Sequence, residues 1–543
     1  MAGSEQLDRC ARLLSRKATD DEKFAGLLLM PRIVDPHDHE ALAYVFEALD
    51  CMFIERLMRT GLKQVAETPS GDGLALLAIA VSVVDVLASQ GSIASDPRML
   101  DRIPTLCEVA SLNIAAVPAE AVQALSKLLA QDAAVQVLLG RPELLAGIVD
   151  AASARADSLG LSQFLDYALN RCSTCVSACG GSNMDGWVHA VACAAAAFAS
   201  SDKRLKFEML PVLANALEPI GAGEATAADE CTSCASLVGH ISAGCIGILK
   251  QKTEAAAYSD QALVLYSHLV RLWPEHVFLG VVAPRADGDV GAPVPRPEAE
   301  LALRLACVEG QASVDAMMIC EPDDSSAQSA READRLRVQH GWKLPFCTAI
   351  VAGWLEWAAL WLDDLPFSAD VDEAGLCAMM GEVQGLASSA VGFLTDWRER
   401  VPSEQDMLAS GPELVLGAVR LLGKWLATDP KLHQAAVPVL AMCAAWVTGS
   451  DEHGAAVAEY VRPCLAFALD TCGISEAQYI EELVARELRH GRSQARGLAS
   501  PWVGTMEFDD LARAVYSIPS DEDVLRDRQA RPHDGGGGGG GGR

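Results

Sequence analysis

Apolar residues recur along this chain at three- and four-residue steps, in helix-length segments that are each followed by a turn and another such segment. The stretch from Glu413 to Val447 shows this best, because its first half has an apolar stripe opposite a polar face. The stripe comprises Val415, Ala418, Val419, Leu422, Trp425 and Leu426. Asp429 then caps a second apolar helix, whose first turn tolerates Pro430. With no strand-like segment between such units, the pattern predicts an all-α, armadillo/HEAT-like α-solenoid of irregular helical repeats.

The same periodicity places helices along the N-terminal half. We expect the first helix over Glu5–Leu14, a second that begins with a capping box at Thr19–Glu22 and is interrupted at Pro31, and a third over Glu40–Arg59. Further helices are predicted near residues 72–90, 97–111, 119–138, 142–156 and 161–179. The glycines at 180–181 are expected to end the last of these.

Several apolar segments contain the sequence Pro-x-Leu. A proline inside a helix removes one backbone hydrogen bond, so each segment is expected to be bent, as the first helices of armadillo and HEAT repeats are. The prolines are Pro104, Pro211, Pro438 and Pro463.

Composition divides the chain into four parts. Residues 1–281 are predicted to form an N-terminal helical-repeat half, and residues 301–516 a C-terminal one. Between them, residues 282–300 are rich in Pro and Gly and read as a loop or linker. Residues 517–543 turn polar and include eight consecutive glycines, so this tail is expected to be disordered.

The net charge indicates which kind of partner the chain binds, and the cysteine content indicates the cellular compartment. The 543 residues carry a formal net charge of −30. Nucleic acid is bound by clustered Lys and Arg, so this balance argues against it and favours protein partners with basic segments. The 17 cysteines are an odd number in a long chain, and many fall within apolar stripes. Together with a start at Met1 that has no secretory pattern, they favour a reducing, cytoplasmic setting.

One segment approaches the length of a membrane span. Leu344–Leu362 has a single charged residue, Glu356, and places Trp354, Trp357 and Trp361 on one face. The central carboxylate and the absence of a strong basic flank favour a buried solenoid helix over insertion. No membrane span is therefore expected.

A group of cysteines suggests zinc, which binds pairs of thiolates. Cys172, Cys175 and Cys179 lie at helical spacing behind an apolar stripe, but Cys231 and Cys234 follow only after more than fifty residues. Compact zinc modules have shorter separations, so packing in the core is the favoured interpretation. A zinc-binding or membrane-associated helical regulator remains the alternative function.

Neither the histidines nor any catalytic sequence motif indicates a functional site. The run His37–Glu40 precedes an apolar helix and is expected to be a polar loop in which Asp38 caps that helix. His189, His240 and His433 are expected to be ordinary helix residues. Walker, nucleophile-elbow, HExxH and EF-hand patterns are absent from the sequence, so no catalytic, cofactor-binding or metal residue is predicted. The chain is expected not to be an enzyme.

Short stretches resemble, in order, helices of the neurochondrin family. They are Asp20–Met30, Val45–Leu57, Asp96–Leu106, Lys206–Leu213, Leu305–Glu309 and Val419–Ala427. The resemblance, which runs from about Glu5 to Leu465, implies an armadillo-like scaffold or adaptor without catalytic residues. Vertebrate members are associated with neurite outgrowth and with damping of calcium/calmodulin-dependent kinase signalling, so the resemblance links this chain to regulation of signalling and to neuron projection development.

The chain also departs from the family pattern. Most of the family's C-terminal third is expected to be missing, and no cysteine pair stands at the extreme N-terminus to support lipidation. The resemblance therefore implies neither the membrane tethering of vertebrate members nor the partners of the missing region.

Overall fold

The structure is a computed structural model of the chain. It describes residues 2–67, 71–112, 117–154, 159–181, 183–201, 204–221, 225–226, 228, 233–250, 256–280, 294–295, 297–319, 343–364, 373–400 and 412–429, with single positions between 432 and 443.

These residues are almost entirely helical, as predicted. The first helices are α1 (Ala2–Leu14), α2 (Asp20–Ile33), α3 (His39–Ala48), α4 (Cys51–Glu67), α5 (Gly71–Leu87), α6 (Gly91–Ala94), α7 (Pro97–Leu100), α8 (Ile103–Ala110), α9 (Val117–Leu128), α10 (Asp132–Leu139) and α11 (Glu143–Ala154). They are followed by α12 (Leu159–Ala178), α13 (Met184–Ser200), α14 (Arg204–Leu217), α15 (Cys234–Leu249), α16 (Ala256–Leu272), α17 (Pro274–Phe278), α18 (Pro297–Ile319), α19 (Leu344–Asp364), α20 (Glu373–Arg400) and α21 (Pro412–Thr428). Between α17 and α18, strands β1 (Leu279–Gly280) and β2 (Val294–Pro295) pair antiparallel.

The prediction of one continuous third helix is wrong. Helix α3 ends at Ala48, because Leu49 is extended (φ −68°, ψ 132°) and the chain restarts as α4 at Cys51. The Asp50 amide donates to the Leu14 carbonyl oxygen at 3.1 Å. The Asp50 carboxylate also accepts from the Lys23 ammonium at 2.9 Å. These contacts with earlier helices outweigh local helix propensity. The segments predicted at 97–111 and 119–138 are likewise each two helices.

The capping box at the start of α2 is confirmed. The Thr19 amide donates to the Glu22 carboxylate at 2.8 Å, and the Glu22 amide donates to the Thr19 hydroxyl at 3.3 Å. The expected interruption at Pro31 is wrong, because α2 continues to Ile33. A proline in the last turn forfeits a single backbone bond, so the helix can tolerate it there.

The Pro-x-Leu prolines do not share one role. Pro211 lies inside α14, as expected, whereas Pro104 lies in the first turn of α8, where a missing amide hydrogen has no consequence. Pro438 and Pro463 lie outside the described residues, as does the predicted tail at 517–543. Within the predicted linker, Val294–Pro295 form β2 and the residues from Pro297 belong to α18.

The first compact unit comprises Met1–Leu305 and contains two rows of neighbouring helices. In one row, which we call ladder A, α4 packs on α8, α8 on α11, α11 on α13 and α13 on α15. In the other, ladder B, α5 packs on α9, α9 on α12, α12 on α14 and α14 on α16. Each helix of ladder A also packs on its counterpart in ladder B, which is the arrangement of a solenoid of helix pairs.

Cations hold successive helices of ladder B together. Lys127 in α9 binds Asp85, near the end of α5, through the carboxylate at 2.7 Å and the carbonyl at 3.1 Å. Arg171 in α12 donates to the Leu129 carbonyl, just after α9, at 3.1 Å. Both bonds join residues 42 positions apart, which is the length of an armadillo- or HEAT-type repeat. A cation at a helix C-terminus also compensates the partial negative charge there.

The second compact unit begins at Ala306, and α19, α20 and α21 pack within it. Every residue of the apolar stripe predicted from Val415 to Leu426 is buried. In α19, Trp354 and Trp357 are buried, and Glu356 pairs with Lys424 of α21 at 2.7 Å. The segment from Leu344 is thus a packed helix, and among the described residues no helix has the length and apolarity needed to cross a bilayer.

Candidate interaction surface

Four successive helices of ladder A contain no lysine or arginine. They are α8, α11, α13 and α15, and their sequences carry acidic side chains only at Glu108, Glu143, Asp150 and Asp185. All four carboxylates are exposed, and none forms an ion pair within the described residues. From α8 to α13, the helices of the row therefore expose carboxylates and no Lys or Arg, although exposed Arg141 lies just before α11.

Helical spacing puts these carboxylates on one strip of the surface. In α11, Glu143, Gly147 and Asp150 lie at positions i, i+4 and i+7 and share a face. In α13, Asp185 and His189 lie four residues apart, and both are exposed. We call this strip, with Glu108 in α8, the acidic ladder face.

Neighbouring helices bring the strip together. A Cβ atom on Gly147 of α11 would lie 3.4 Å from the Ser111 hydroxyl at the end of α8. Between α11 and α13, burial and then the Asp150 carboxylate raise the pKa of the Cys193 thiol, so Asp150 acts on a side chain of the next helix. The small residues allow α8, α11 and α13 to lie close, which leaves the carboxylates as the main chemical feature of the face.

Several cations elsewhere in the unit are bound by its own carboxylates. Lys23 pairs with Asp50 at 2.9 Å, and Arg102 pairs with Glu55 at 2.7 Å, with all four side chains largely buried. Together with the cations of ladder B, they serve as contacts between helices instead of neutralising the acidic ladder face.

The acidic ladder face has a definite start. Helix α4, which precedes α8 in ladder A, exposes Arg56, Arg59 and Lys63. Arg59 pairs with Glu55 at 2.6 Å, and this pairing first, with a smaller effect of Glu108, raises the pKa of its guanidinium. Helix α4 thus exposes three cations, each paired with a carboxylate, whereas α8 exposes only the carboxylate of Glu108.

Comparison with known proteins places the chain in a family. The sequence model of the neurochondrin family matches residues 2–452. The chain belongs to the neurochondrin family. Neurochondrin of Rattus norvegicus is 33% identical to this chain over 104 residues, which are 19% of this chain and 14% of the rat protein. The match to the rat protein therefore concerns a short segment of both family members.

The cysteines that suggested zinc are mostly core residues. Cys172, Cys175 and Cys234 are buried, which confirms core packing for these three. Burial raises the pKa of the Cys172 thiol to about 12, so it remains protonated at neutral pH. Cys179 is exposed, contrary to expectation, because it follows the last residue of α12; Cys231 lies outside the described residues. No three His, Cys, Asp or Glu side chains among the described residues form a group that could hold a metal ion.

The run His37–Glu40 contains the predicted helix cap, and the isolated histidines differ in burial. Asp38 caps α3, since its carboxylate accepts from the Ala41 amide at 3.0 Å. His189 is exposed and His240 is half-buried. His433 is buried, with its Nε2 atom 2.7 Å from the Leu426 carbonyl oxygen.

The acidic ladder face was not predicted from the sequence. The sequence does contain a signal for this face, because the absence of Lys and Arg from four helices can be read once the helix boundaries are known. What the sequence does not show is that α8, α11, α13 and α15 are consecutive in one row while α9, α12 and α14 belong to the other.

Proposed function

We propose that this neurochondrin-family protein is a non-catalytic scaffold that binds basic segments of partner proteins along the acidic ladder face. The observation that supports this proposal most directly is the run of four exposed carboxylates across helices that contain no cation. A partner segment rich in Lys and Arg would find complementary charge along several repeats, and the small residues between the carboxylates leave room for its stems.

We also propose that the protein acts in the cytoplasm and takes part in the regulation of signalling. Ten of the thirteen cysteines within the described residues are buried in the helical core, which suits a reducing compartment such as the cytoplasm. Family membership supports a role in regulating signalling, as the resemblance to vertebrate members implies. The absence of catalytic sequence motifs supports a non-catalytic role.

Charge neutralisation of the face tests the proposal. The test variant carries Glu108→Gln, Glu143→Gln, Asp150→Asn and Asp185→Asn. A matched control neutralises four exposed carboxylates of other helices: Asp21, Glu40, Asp72 and Glu120. Both variants change the net charge by the same amount, so they separate the effect of position from that of overall charge.

Tagged wild type and both variants would be used to capture proteins from the native cell lysate at low and at high salt. We expect a small set of basic partners that is lost at high salt, lost in the test variant and kept by the control. Exposed pairs contribute about 0.2–1 kcal/mol each, so losing four should weaken the affinity for an identified partner by at least about fourfold. Equal retention by the test variant and wild type would contradict the proposed site.

A further inference from the structure

We propose that Lys206, at the junction of α13, α14 and α15, is a binding site for an oxyanion, either a phosphate group or a carboxylate. This site is separate from the acidic ladder face. Its ligand group is negatively charged, whereas the ligand proposed for the acidic ladder face is positively charged.

Lys206 is buried at the meeting point of three helices. It is 7% exposed and is the third residue of α14, so its side chain leans toward the start of that helix. The ammonium nitrogen lies 5.9 Å from the centre of the Phe198 ring in α13. A Cβ atom on Gly247 of α15 would lie 2.9 Å from the same nitrogen. The ammonium thus has a defined position between α13 and α15.

Among the buried lysines of the described residues, Lys206 differs in its surroundings. Lys23, 6% exposed, pairs with Asp50 at 2.9 Å, and Lys343, 8% exposed, pairs with Glu309 at 3.6 Å. Lys206 forms no hydrogen bond or ion pair with any residue that the structure describes, and its contact is with the Phe198 ring. A cation–π contact satisfies none of the three N–H donors of the ammonium, so these donors have no acceptor among the described protein groups.

Among the described residues, no neighbouring side chain supplies a negative charge to Lys206. The Glu208 carboxylate in α14 is already bound by Arg204 at 2.6 Å and by the Ser162 hydroxyl at 2.7 Å. Burial raises the pKa of the nearby Cys245 thiol, an effect that Lys206 opposes only in part, so that thiol is neutral. A charge taken from water without a partner is costly, which means that an external anion at this point would be stabilising.

The start of α14 contributes a positive field, whereas Phe198 and Gly247 belong to the last turns of α13 and α15, whose ends are partly negative. The first turn of α14 contains no acidic side chain, although acidic residues are usual there. The first amides of a helix have no partner within it and attract anions. Lys206 keeps 7% of its surface exposed, so a small part of its side chain remains open to solvent.

Oxyanions match this combination of groups. Phosphate offers several acceptor oxygens and about one and a half negative charges near neutral pH, which suits an ammonium beside a helix N-terminus. A carboxylate offers two oxygens and a single charge, so it should bind at the same position more weakly.

Anion-dependent thermal unfolding of the full chain tests the site. Sodium phosphate, sodium acetate and sodium chloride would be titrated at equal ionic strength and pH 7. We expect phosphate to raise the Tm of the wild type saturably above the chloride baseline, with acetate giving a smaller rise. In Lys206→Met, which keeps an apolar stem without the charge, the response should fall to the chloride level. Lys250→Met, which changes an exposed lysine just after α15, should respond as the wild type does.

A second variant guards against misfolding of the first. Gly247→Ala keeps Lys206 but places a methyl group against its ammonium, so it should weaken the phosphate response at least threefold. An acetate response equal to that of phosphate would support the site and assign it to carboxylates. A wild-type response no greater than that to chloride would overturn the proposal, as would an equal response in Lys206→Met or Gly247→Ala.

Discussion

The buried carboxylate of Glu55 joins α4 to α8, and removing one of its partners should cost more than removing the whole charged pair. Glu55 accepts from Arg102 at 2.7 Å, from the Thr105 hydroxyl at 2.7 Å and from Arg59 at 2.6 Å. The side chains of Glu55 and Arg102 are 9% and 6% exposed. Arg102→Met would leave the carboxylate buried with two of its three partners.

The magnitude follows from the cost of an unpaired buried charge. Removing one member of a buried ion pair typically costs 3–5 kcal/mol. Because Arg59 and Thr105 still bind Glu55, we expect about 3 kcal/mol for Arg102→Met. The double variant Glu55→Gln/Arg102→Met removes both charges and retains an acceptor for Thr105, so it should cost about 1 kcal/mol. Arg56→Met is a control in α4, the helix that contains Glu55. It should cost less than about 1 kcal/mol, because the ion pair of Arg56 with Asp20 is exposed.

Hydrogen exchange of α4 and α8 peptides, measured by mass spectrometry on the full chain, gives the free energy of local opening for each variant. The double variant should open less readily than Arg102→Met. If the two variants open equally, or if Arg102→Met matches the Arg56→Met control, the Glu55 pair does not stabilise the α4–α8 contact.

The same carboxylate predicts a pH dependence. Burial raises the pKa of Glu55, but hydrogen bonds from Arg59 and Thr105 and the charge of Arg102 outweigh it, so the net pKa lies below its usual value. The stabilisation is therefore present above the unfolded pKa of about 4.3 and is lost as the pH falls through the lower folded value. Glu55→Gln should show a smaller loss over this range, whereas identical acid profiles would contradict the assignment.

Two further predictions concern helix contacts and thiols. Gly186→Ala should destabilise the chain by about 3 kcal/mol, because the new Cβ would lie 1.8 Å from the Leu139 carbonyl oxygen; Gly381→Ala, which meets open space, should be neutral or slightly stabilising. Urea unfolding distinguishes them, and equal midpoints would refute the close contact. At pH 8, iodoacetamide should label exposed Cys377 at least a hundredfold faster than buried Cys172, whose pKa is raised to about 12 by burial. Comparable labelling rates by mass spectrometry would show that α12 opens readily.

Local signals in the sequence were sufficient for much of the helical structure. The stripe from Val415 to Leu426 was readable because helical periodicity repeats every few residues, and its burial follows from that periodicity. The capping box at Thr19–Glu22 was equally readable, because both hydrogen bonds join residues three positions apart. Family resemblance in collinear stretches then pointed to the neurochondrin family.

The tertiary structure decided the features that depend on distant residues. Helix α3 ends before Asp50 because that residue binds the Leu14 carbonyl and Lys23, which no local pattern indicates. Likewise, the burial of Lys206 depends on Phe198 and on Gly247 of another helix.

The acidic ladder face combines both kinds of information. The sequence by itself determined that α8, α11, α13 and α15 contain no Lys or Arg. Only the solenoid decided that these four helices lie in one row, with α9, α12 and α14 in the other. Periodicity determines which side of each helix is apolar. The neighbour of that side is determined by contacts between residues some forty positions apart, which the local pattern of a single helix does not show.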